Sequence, residues 1–259
     1  MSLDADVRAR TIARFEQHRR AWDENPALRT LYGEWYGRVA AALPPASFGP
    51  RVELGSGPGF ARPFIPDLEL TDLVKAPWHD REVSAEALPY ADSSLGAIVL
   101  FDVLHHVPTP RAFFAEAMRA LRVGGRIVLC EPYISPLSYP VYKFLHEEPV
   151  EMFVDPLAPL APLAPAAAAS ERDPFDSNQA IPTLMFGAKR GAFEDAFPKL
   201  VVRTVERLAG LSYPASGGFS RGPLLPQALW RALHAFEARL PAALFRFAGF
   251  RMLVTLEKR

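Results

Sequence analysis

Apolar positions in the middle of the chain recur in an order that predicts alternating strands and helices. Residues 97–101 are a continuous apolar run, as expected of a strand buried on both faces. Residues 110–121 follow with apolar positions at helical spacing, and residues 126–130 form the next apolar run. Because a strand, a helix and a second strand are joined here by short links, we predict a parallel sheet with helical crossovers.

The flanks add further strands and helices on both sides of this unit. Residues 4–24 and 26–43 have helical patterns, and we interpret residues 1–48 as an N-terminal helical cap. The fold class we expect for residues 49–259 is α/β, with a Rossmann-like, doubly wound and mostly parallel seven-stranded sheet. Further strands are predicted at 51–54, 68–74, 81–84, 201–208 and 251–257, and an amphipathic helix is predicted at 226–240 with Leu229, Leu233, Phe236 and Leu240 on one face.

Residues 132–186 interrupt this regularity. They contain many prolines and little periodicity, and Pro156, Pro159, Pro162 and Pro165 recur at every third position. This spacing favours an extended polyproline II geometry or a mobile loop. Since the stretch is too long for a plain connector, we predict a lid or a disordered insertion within the sheet domain.

Composition and charge exclude several classes of function. Among the 259 residues, 29 basic side chains balance 29 acidic ones, so the chain lacks the electrostatic footprint of a nucleic-acid-binding protein. Cys130 is the single cysteine, which rules out an intramolecular disulfide, and we predict no metal site. Residues 1–20 do not resemble a signal peptide, and no apolar stretch reaches about 18 residues. We therefore expect a cytoplasmic protein without stable membrane insertion.

The strongest chemical signal is the glycine-rich segment that follows the strand predicted at 51–54. Here Glu53 lies two residues before Gly55, and Gly57 and Gly59 complete a G-x-G-x-G spacing. Glycines adopt positive φ and leave the backbone bare, so a ligand can approach it closely. A dinucleotide-binding turn has the spacing G-x-G-x-x-G and receives a pyrophosphate. An acid is unfavourable beside a pyrophosphate, but it suits a ligand with an ammonium group, such as the methionine part of S-adenosylmethionine.

Four further segments follow this motif in a recognisable order. They are Leu70-Thr71-Asp72, the run 84–94 that begins Ser-Ala-Glu-Ala-Leu-Pro, the run 101–107 that reads Phe-Asp-Val-Leu-His-His-Val, and the Leu-Arg-Val-Gly-Gly-Arg run at 121–126. Together with residues 52–59, they make residues 51–131 resemble the core of the class I S-adenosylmethionine-dependent methyltransferases, close to the type 11 group. The resemblance implies that fold, S-adenosylmethionine as cofactor and methyl transfer as the activity.

The resemblance also implies which residues hold the cofactor. Asp72 is expected on the ribose hydroxyls and Glu53 on the ammonium group, with the glycine bend and a short following helix against the methionine part. The segment differs from the family pattern at Ser84 and Gly96, where an aspartate is usual. The full set of predicted cofactor-binding residues is Glu53, Gly55, Ser56, Gly57, Gly59, Asp72, Leu73, Ala85, Glu86, Asp102 and Val103.

Asp102, His105 and His106 are the candidate catalytic residues. They follow the fourth predicted strand, and ligands bind beyond the carboxyl ends of parallel strands. A histidine there can act as a general base near neutral pH, although one of the pair can instead cap the next helix. Methyl transfer is a direct displacement in which alignment supplies much of the rate, so a dedicated base is not obligatory.

The predicted acceptor is a small, partly hydrophobic molecule, because the insertion at 132–186 is rich in aromatic and aliphatic side chains. Tyr32, Trp35 and Tyr36 of the second predicted helix either cover the cofactor or pack in the core. Two other functions stay open: an S-adenosylmethionine-binding protein without activity, and a nicotinamide-dependent oxidoreductase, which the glycine spacing disfavours. Zero net charge and the Phe-Asp-Val-Leu sequence at 101–104 disfavour a nucleic-acid methyltransferase.

Overall fold

A seven-stranded sheet lies at the centre of the protein, whose computed structural model describes residues 4–159 and 175–259. Its strands are β1 Arg51–Leu54, β2 Leu68–Asp72, β3 Arg81–Glu82, β4 Leu95–Phe101, β5 Leu121–Pro132, β6 Leu200–Leu208 and β7 Arg251–Lys258. They lie in the order β3-β2-β1-β4-β5-β7-β6, in which β1 to β5 are parallel and β7 is antiparallel to both β5 and β6. The Rossmann-like, mostly parallel sheet predicted from the sequence is therefore confirmed.

Helices flank both faces of the sheet. Asn25 separates the first two, because its side-chain oxygen accepts a hydrogen bond from the Leu28 N–H and Pro26 occupies the first helical position. Within the described residues, none of the helices combines the length and the hydropathy that crossing a membrane requires. The helices are α1 Ala5–Glu24, α2 Pro26–Ala42, α3 Pro110–Ala120, α4 Ser138–Leu145, α5 Ile181–Met185, α6 Arg190–Ala196, α7 Ser212–Ala215, α8 Gln227–Glu237 and α9 Phe245–Ala248.

Strand β4 is buried along its whole length and divides the apolar core into two layers. Ile98 and Leu100 belong to the layer that contains Phe113 and Phe114 of α3. Val99 belongs to the layer on the opposite face. Since successive side chains of a strand point to opposite faces, an unbroken apolar run is the sequence expected of this strand.

The N-terminal helix α2 forms a large part of the second layer. Leu28, Leu31 and Val39 are buried there together with Val99 of β4 and Val128 of β5. Residues that we assigned to a cap are thus part of the main apolar core. The boundary proposed at residue 48 stays a prediction.

The short helix predicted after the glycine bend is absent, since residues 55–67 link β1 to β2 through turns alone. Pro58, Pro63 and Pro66 lie within this link, and a proline in a helix interior removes a hydrogen bond and clashes with the preceding turn. Rings from this link pack instead against the N-terminal helices: Phe64 stacks on Tyr36 of α2, with ring centroids 5.4 Å apart. No helix N-terminus follows the glycine bend in this segment.

Helix α8 forms near its predicted position but turns the other face inward. Leu229 and Phe236, which we expected on the buried side, are each 59% exposed. Trp230 and Glu237 are buried instead, because the Trp230 Nε1 donates to the Ser212 carbonyl oxygen and the Glu237 carboxylate accepts from the Ser212 N–H. Hydrogen bonds to α7 therefore decide the orientation of this helix more than its apolar stripe does.

The described parts of residues 132–186 contain more regular structure than the proline pattern predicts. Helix α4 buries Tyr142, whose hydroxyl donates to the Phe250 carbonyl oxygen, and α5 buries Ile181 and Met185. Most of the proline-rich tract, residues 160–174, lies outside the described residues. The predicted lid or disordered insertion stays a prediction for that stretch.

Replacing Phe114 by alanine is expected to lower the free energy of unfolding by about 3–5 kcal/mol. The side chain is fully buried, and the ring centroids of Phe113 and Phe193 lie 4.7 and 4.9 Å from its own. Equilibrium urea unfolding followed by circular dichroism measures the loss. Phe144→Ala is the matched control, since that side chain is 75% exposed and its removal should cost no more than about 0.5 kcal/mol. Equal losses in the two variants would contradict this description of the core.

Candidate active site

The glycine bend lies at the carboxyl end of β1, where the strand order reverses between β1 and β4. This is the place at which open α/β sheets bind ligands. Gly55, Gly57 and Gly59 all have positive φ, at 68°, 47° and 79°. Ser56 holds the bend to β2, because its N–H donates to the Thr71 carbonyl oxygen and its hydroxyl oxygen accepts from the Thr71 N–H.

Side chains of the protein pack closely on the bend. A Cβ atom on Gly55 would lie 2.6 Å from Val103 Cγ2, and one on Gly59 would lie 2.8 Å from Trp78 Cδ1. Both glycines are therefore required for packing as well as for backbone conformation. A Cβ atom on Gly57 would lie 3.7 Å from Phe15 Cε1 of α1, which is an ordinary van der Waals distance. Helix α1 thus covers the bend.

Glu53 is the group at this edge that most needs a ligand. Its side chain is 1% exposed, and neither carboxyl oxygen has a hydrogen-bond partner among the described residues. Burial raises the pKa of Glu53 to about 8; the Ser56 side chain opposes the rise, and the nearby carboxyl of Asp72 adds to it. A buried acid without a donor is costly when ionised, so a cation at this place would stabilise it.

Asp72 is buried at the end of β2 and fixes the bend. Its two oxygens accept from the N–H groups of Gly57, at 2.9 Å, and Val74, at 3.0 Å. Burial raises the pKa of Asp72, although these backbone donors oppose the shift. Trp78 Nε1 and His79 Nε2 both lie 2.7 Å from the carbonyl oxygen of Gly57. The Asp72 carboxylate keeps lone pairs that can accept further hydrogen bonds.

The other predicted cofactor residues lie at the same edge, in the turns that follow β2, β3 and β4. Leu73 is partly exposed beside Asp72, and Ala85 packs on the rim of the first core layer. Glu86 donates its N–H to the Ser84 hydroxyl oxygen, and its Oε1 is buried without a partner among the described residues. The structure therefore places all eleven predicted cofactor residues at one edge of the sheet.

Asp102 is held by a buried arginine that sequence reasoning missed. Arg251 is 1% exposed, and its Nη1 lies 2.5 Å from Asp102 Oδ1. The guanidinium is surrounded by the rings of Trp35, Phe101 and Tyr213, with centroids 5.0 to 5.7 Å away. Aromatic faces attract a cation, so the pair is compensated on all these sides. An arginine at the start of an otherwise apolar strand was the available signal.

The structure places three aromatic side chains of α2 in the core, as the second of the two interpretations offered for them predicts: Tyr32, Trp35 and Tyr36. All three are buried, and their ring centroids lie 5.2, 6.3 and 4.4 Å from that of Phe101. Tyr32 also reaches the edge of the sheet, where its hydroxyl donates to Asp102 Oδ2 at 3.3 Å. Tyr32 therefore links the aromatic core to Asp102.

His105 and His106 lie beside two glutamates at the end of β4. His105 Nδ1 is 2.7 Å from Glu131 Oε2, and its Nε2 is 3.3 Å from Glu148 Oε2. Burial opposes a charge on His105, but the two glutamates outweigh it and raise the pKa of His105 to about 10. Burial and the charge on His105 lower the pKa of His106 to about 4. Sequence reasoning did not find Glu148, which is far from the histidines along the chain.

A cavity of about 460 Å³ lies away from this edge, between α2, β6 and α8. It is lined among others by Glu34, Arg38, His234 and Glu237. None of the predicted site residues lines it. The carboxyl edge, with its positive-φ glycines and the buried, unpartnered carboxyl of Glu53, is therefore the better candidate for chemistry.

Comparison with known proteins finds a methyltransferase domain in the middle of the chain. A family model described as a methyltransferase domain matches residues 68–129, which run from β2 into β5. The match confirms the resemblance drawn from the motifs. No curated protein matches the sequence.

Solved structures of similar fold are distant in sequence. A chain from the complex of the Haloferax volcanii Trm112 methyltransferase activator with a candidate methyltransferase has a TM-score of 0.53 and 15% identity, with 99% of each chain covered. Geranyl diphosphate C-methyltransferase of Streptomyces coelicolor A3(2) has a TM-score of 0.46 and 14% identity, covering 93% of this chain and 84% of that one. At such identities the likeness shows the fold alone, and only the first is close enough to support it.

Stability should fall as the pH rises towards 8 because of Glu53. The unfolded chain ionises this group near its ordinary pKa of 4.5, whereas the folded protein keeps the proton up to about pH 8. The folded state binds more protons in this interval, so the free energy of unfolding falls by up to about 1.4 kcal/mol for each pH unit. Glu53→Gln is expected to remove the part of this fall that Glu53 causes, so the variant should lose less stability than the wild type between pH 5 and pH 8 and exceed it at pH 8. Urea unfolding at pH 5 and pH 8 measures the difference.

The matched control is Glu194→Gln, which changes an exposed glutamate of α6 in the same way. It should retain the wild-type dependence on pH. A Glu53→Gln variant that loses as much stability between pH 5 and pH 8 as the wild type would show that this carboxyl is ordinarily solvated.

Proposed function

We propose that this chain, which carries a methyltransferase domain of the class I fold, is an S-adenosylmethionine-dependent methyltransferase for a small, partly hydrophobic acceptor. One observation carries the proposal. The buried carboxyl of Glu53 has no hydrogen-bond partner among the described residues, and it lies beside three glycines with positive φ. An ionised carboxylate in such a place needs a cation, and the ammonium group of the methionine part is one that bare backbone can admit.

The neighbouring residues fit the rest of the cofactor. Asp72 keeps lone pairs for the ribose hydroxyls after binding the bend. Leu73, Ala85 and Val103 are incompletely buried apolar side chains at the same edge, and they suit an adenine ring. When bound, the cofactor supplies a methyl group on a positively charged sulfur.

Helix α1 controls access to the bend. Phe15 lies on Gly57, and α1 is held in place where Arg19 donates to the Pro58 carbonyl oxygen and Arg8 pairs with Glu82 of β3. We expect a ligand on Gly57 to lie against Phe15, so that α1 helps to exclude water from the transfer.

The two histidines do not have the pKa expected of a general base. A base works best with a pKa near the working pH, whereas the pKa values of His105 and His106 are shifted to about 10 and about 4. We therefore assign the rate chiefly to alignment of the acceptor with the methyl group. Asp102, kept in position by Arg251, is the side chain that we expect to orient the reacting groups.

The nature of the acceptor rests on the walls beyond β4 and β5. Some of the aromatic and aliphatic side chains of the insertion belong to the core, because Tyr142, Met185 and Phe186 are buried. Phe144 and Phe153 are largely exposed. Exposed apolar side chains of this kind favour an acceptor with apolar surface.

A second candidate function is binding of S-adenosylmethionine without transfer. The observation that favours it is the tight packing of Val103 and Trp78 on the bend, where a Cβ added to Gly55 or Gly59 would lie 2.6 or 2.8 Å from these side chains. A nicotinamide-dependent oxidoreductase, which the glycine spacing already disfavours, is disfavoured further by the structure of the bend. A pyrophosphate needs the N–H groups of a helix N-terminus, and here the bend is followed by turns and preceded by a buried acid.

Isothermal titration with S-adenosylhomocysteine tests the cofactor assignment. We expect the wild type to bind it and not to bind NAD. Asp72→Ala should weaken binding by about 10- to 100-fold, because a hydrogen bond to a charged group contributes about 1.5–3 kcal/mol. Asp67→Ala, an exposed acid just before β2, is the control and should bind as the wild type does. Binding of NAD in place of S-adenosylhomocysteine would contradict the proposal.

Transfer of a labelled methyl group to a panel of small apolar acceptors separates the enzyme from the binding protein. We expect turnover in the wild type and a fall of at least about 10-fold in kcat for Asp102→Asn, because the charge that Arg251 positions is lost. S-adenosylhomocysteine binding should weaken less in that variant than in Asp72→Ala, because Asp102 is expected chiefly to orient the reacting groups. Tight cofactor binding with no transfer to any acceptor would favour the second candidate function.

A further inference from the structure

We propose that His105, His106 and Glu148 form a binding site for one divalent transition-metal ion of the Zn²⁺ type. Each of the three residues offers one donor atom, and these atoms lie within 4.8 Å of one another. Two imidazoles and one carboxylate are a donor set that binds Zn²⁺ and related ions in proteins. The three donors do not include Glu53 or Asp72, on which the proposed cofactor contacts rest.

The separations of the donor atoms fit such an ion. His105 Nε2 lies 3.3 Å from Glu148 Oε2, and His106 Nε2 lies 3.8 Å from Glu148 Oε1. Two donors that are each about 2.0–2.1 Å from a tetrahedral ion are about 3.3–3.4 Å apart. Small rotations of the side chains would therefore place all three donors on one ion.

A buried carboxylate already orients one of these donors. Glu131 is fully buried and lies 2.7 Å from His105 Nδ1, which leaves Nε2 directed at the other two residues. The other oxygen of Glu131 is fixed by the N–H groups of Val103 and Leu104. A carboxylate that orients a histidine in this way is characteristic of metal-binding histidines.

Glu148 is also oriented from behind. The Gln179 Nε2 donates at 2.9 Å to Glu148 Oε2, the oxygen that also faces His105, while Glu148 Oε1 faces His106. His106 and Glu148 keep 18% and 16% exposure, so an ion can reach them from solvent. The His106 ring packs against the rings of His105 and Phe175, with centroids 4.2 and 6.2 Å away, and its Nε2 is the nitrogen nearer to Glu148.

The charges at this place favour a cation. Glu131 and Glu148 contribute two carboxylates beside two imidazoles, and His105 Nε2 lies 3.3 Å from Glu148 Oε2. An ion between these groups would satisfy them more fully than the contact itself does. It would also tie Glu148, which follows α4, to the turn after β4. We expect the ion to stabilise the folded protein, since a ligand that binds only the native state does so by mass action.

Titration of chelator-treated protein with Zn²⁺ tests this site. We expect one equivalent to bind, and Co²⁺ in its place to give the visible absorption of a site with nitrogen and oxygen donors. His106→Ala and Glu148→Gln should each weaken Zn²⁺ binding by more than about 100-fold, and Glu131→Gln by about 10- to 100-fold. Mg²⁺, which prefers oxygen donors, should not compete.

His234→Asn is the matched control, because it removes a histidine that pairs with Glu34 far from this cluster. It should bind Zn²⁺ as the wild type does. The melting temperature with and without Zn²⁺ is the second readout, and the shift should vanish in Glu148→Gln. Unchanged affinity in His106→Ala and Glu148→Gln would mean an adventitious ion only and would overturn the proposal.

The outcome is independent of the proposed function. Binding of S-adenosylhomocysteine is measured on the same metal-free protein, and it reports on Glu53 and Asp72 at the bend. A protein that binds Zn²⁺ but not S-adenosylhomocysteine would keep the metal site and lose the proposed function. The reverse result would keep the function and lose the metal site.

Discussion

Burial of β4 on both faces is the constraint on which the rest of this structure depends. Such a strand needs an apolar layer on each side, and α3 supplies one of them. Prolines keep the link after β1 free of helix, so α2 fills the other layer. Because Asn25 joins α2 closely to α1, this packing carries α1 to the carboxyl edge of the sheet. The position of Phe15 on the glycine bend follows from that arrangement.

The carboxyl edge gathers several acidic groups, and they differ in how well the protein compensates them. Asp102 has a buried arginine, and Glu131 has a histidine and two backbone N–H groups. Glu53 has no donor among the described residues. In a buried setting the cost of an acid depends on its partners, so the compensated acids hold the structure together and Glu53 is the one that awaits a ligand.

Much of the fold and part of the site could be predicted from the sequence, because they depend on local patterns. The apolar run of β4 predicts a strand buried on both sides, and the glycines with Glu53 predict a bend that admits a ligand. The orientation of α8 could not be predicted, since hydrogen bonds of Trp230 and Glu237 to α7 override its apolar stripe. The absence of a helix after the bend was predictable only in part: the prolines of this link indicate a short helix, and only the structure shows that α2 fills that layer instead.

The sequence by itself determined the succession of strands and helices along the chain, the bend at the end of β1 and the class of ligand that suits it. These follow from periodicity and from the conformations that glycine allows, which need no knowledge of distant residues. Only the tertiary structure brought Arg251 to Asp102 and Glu148 to the histidines. Pairs of this kind join residues far apart in the chain, and their existence depends on how whole layers pack.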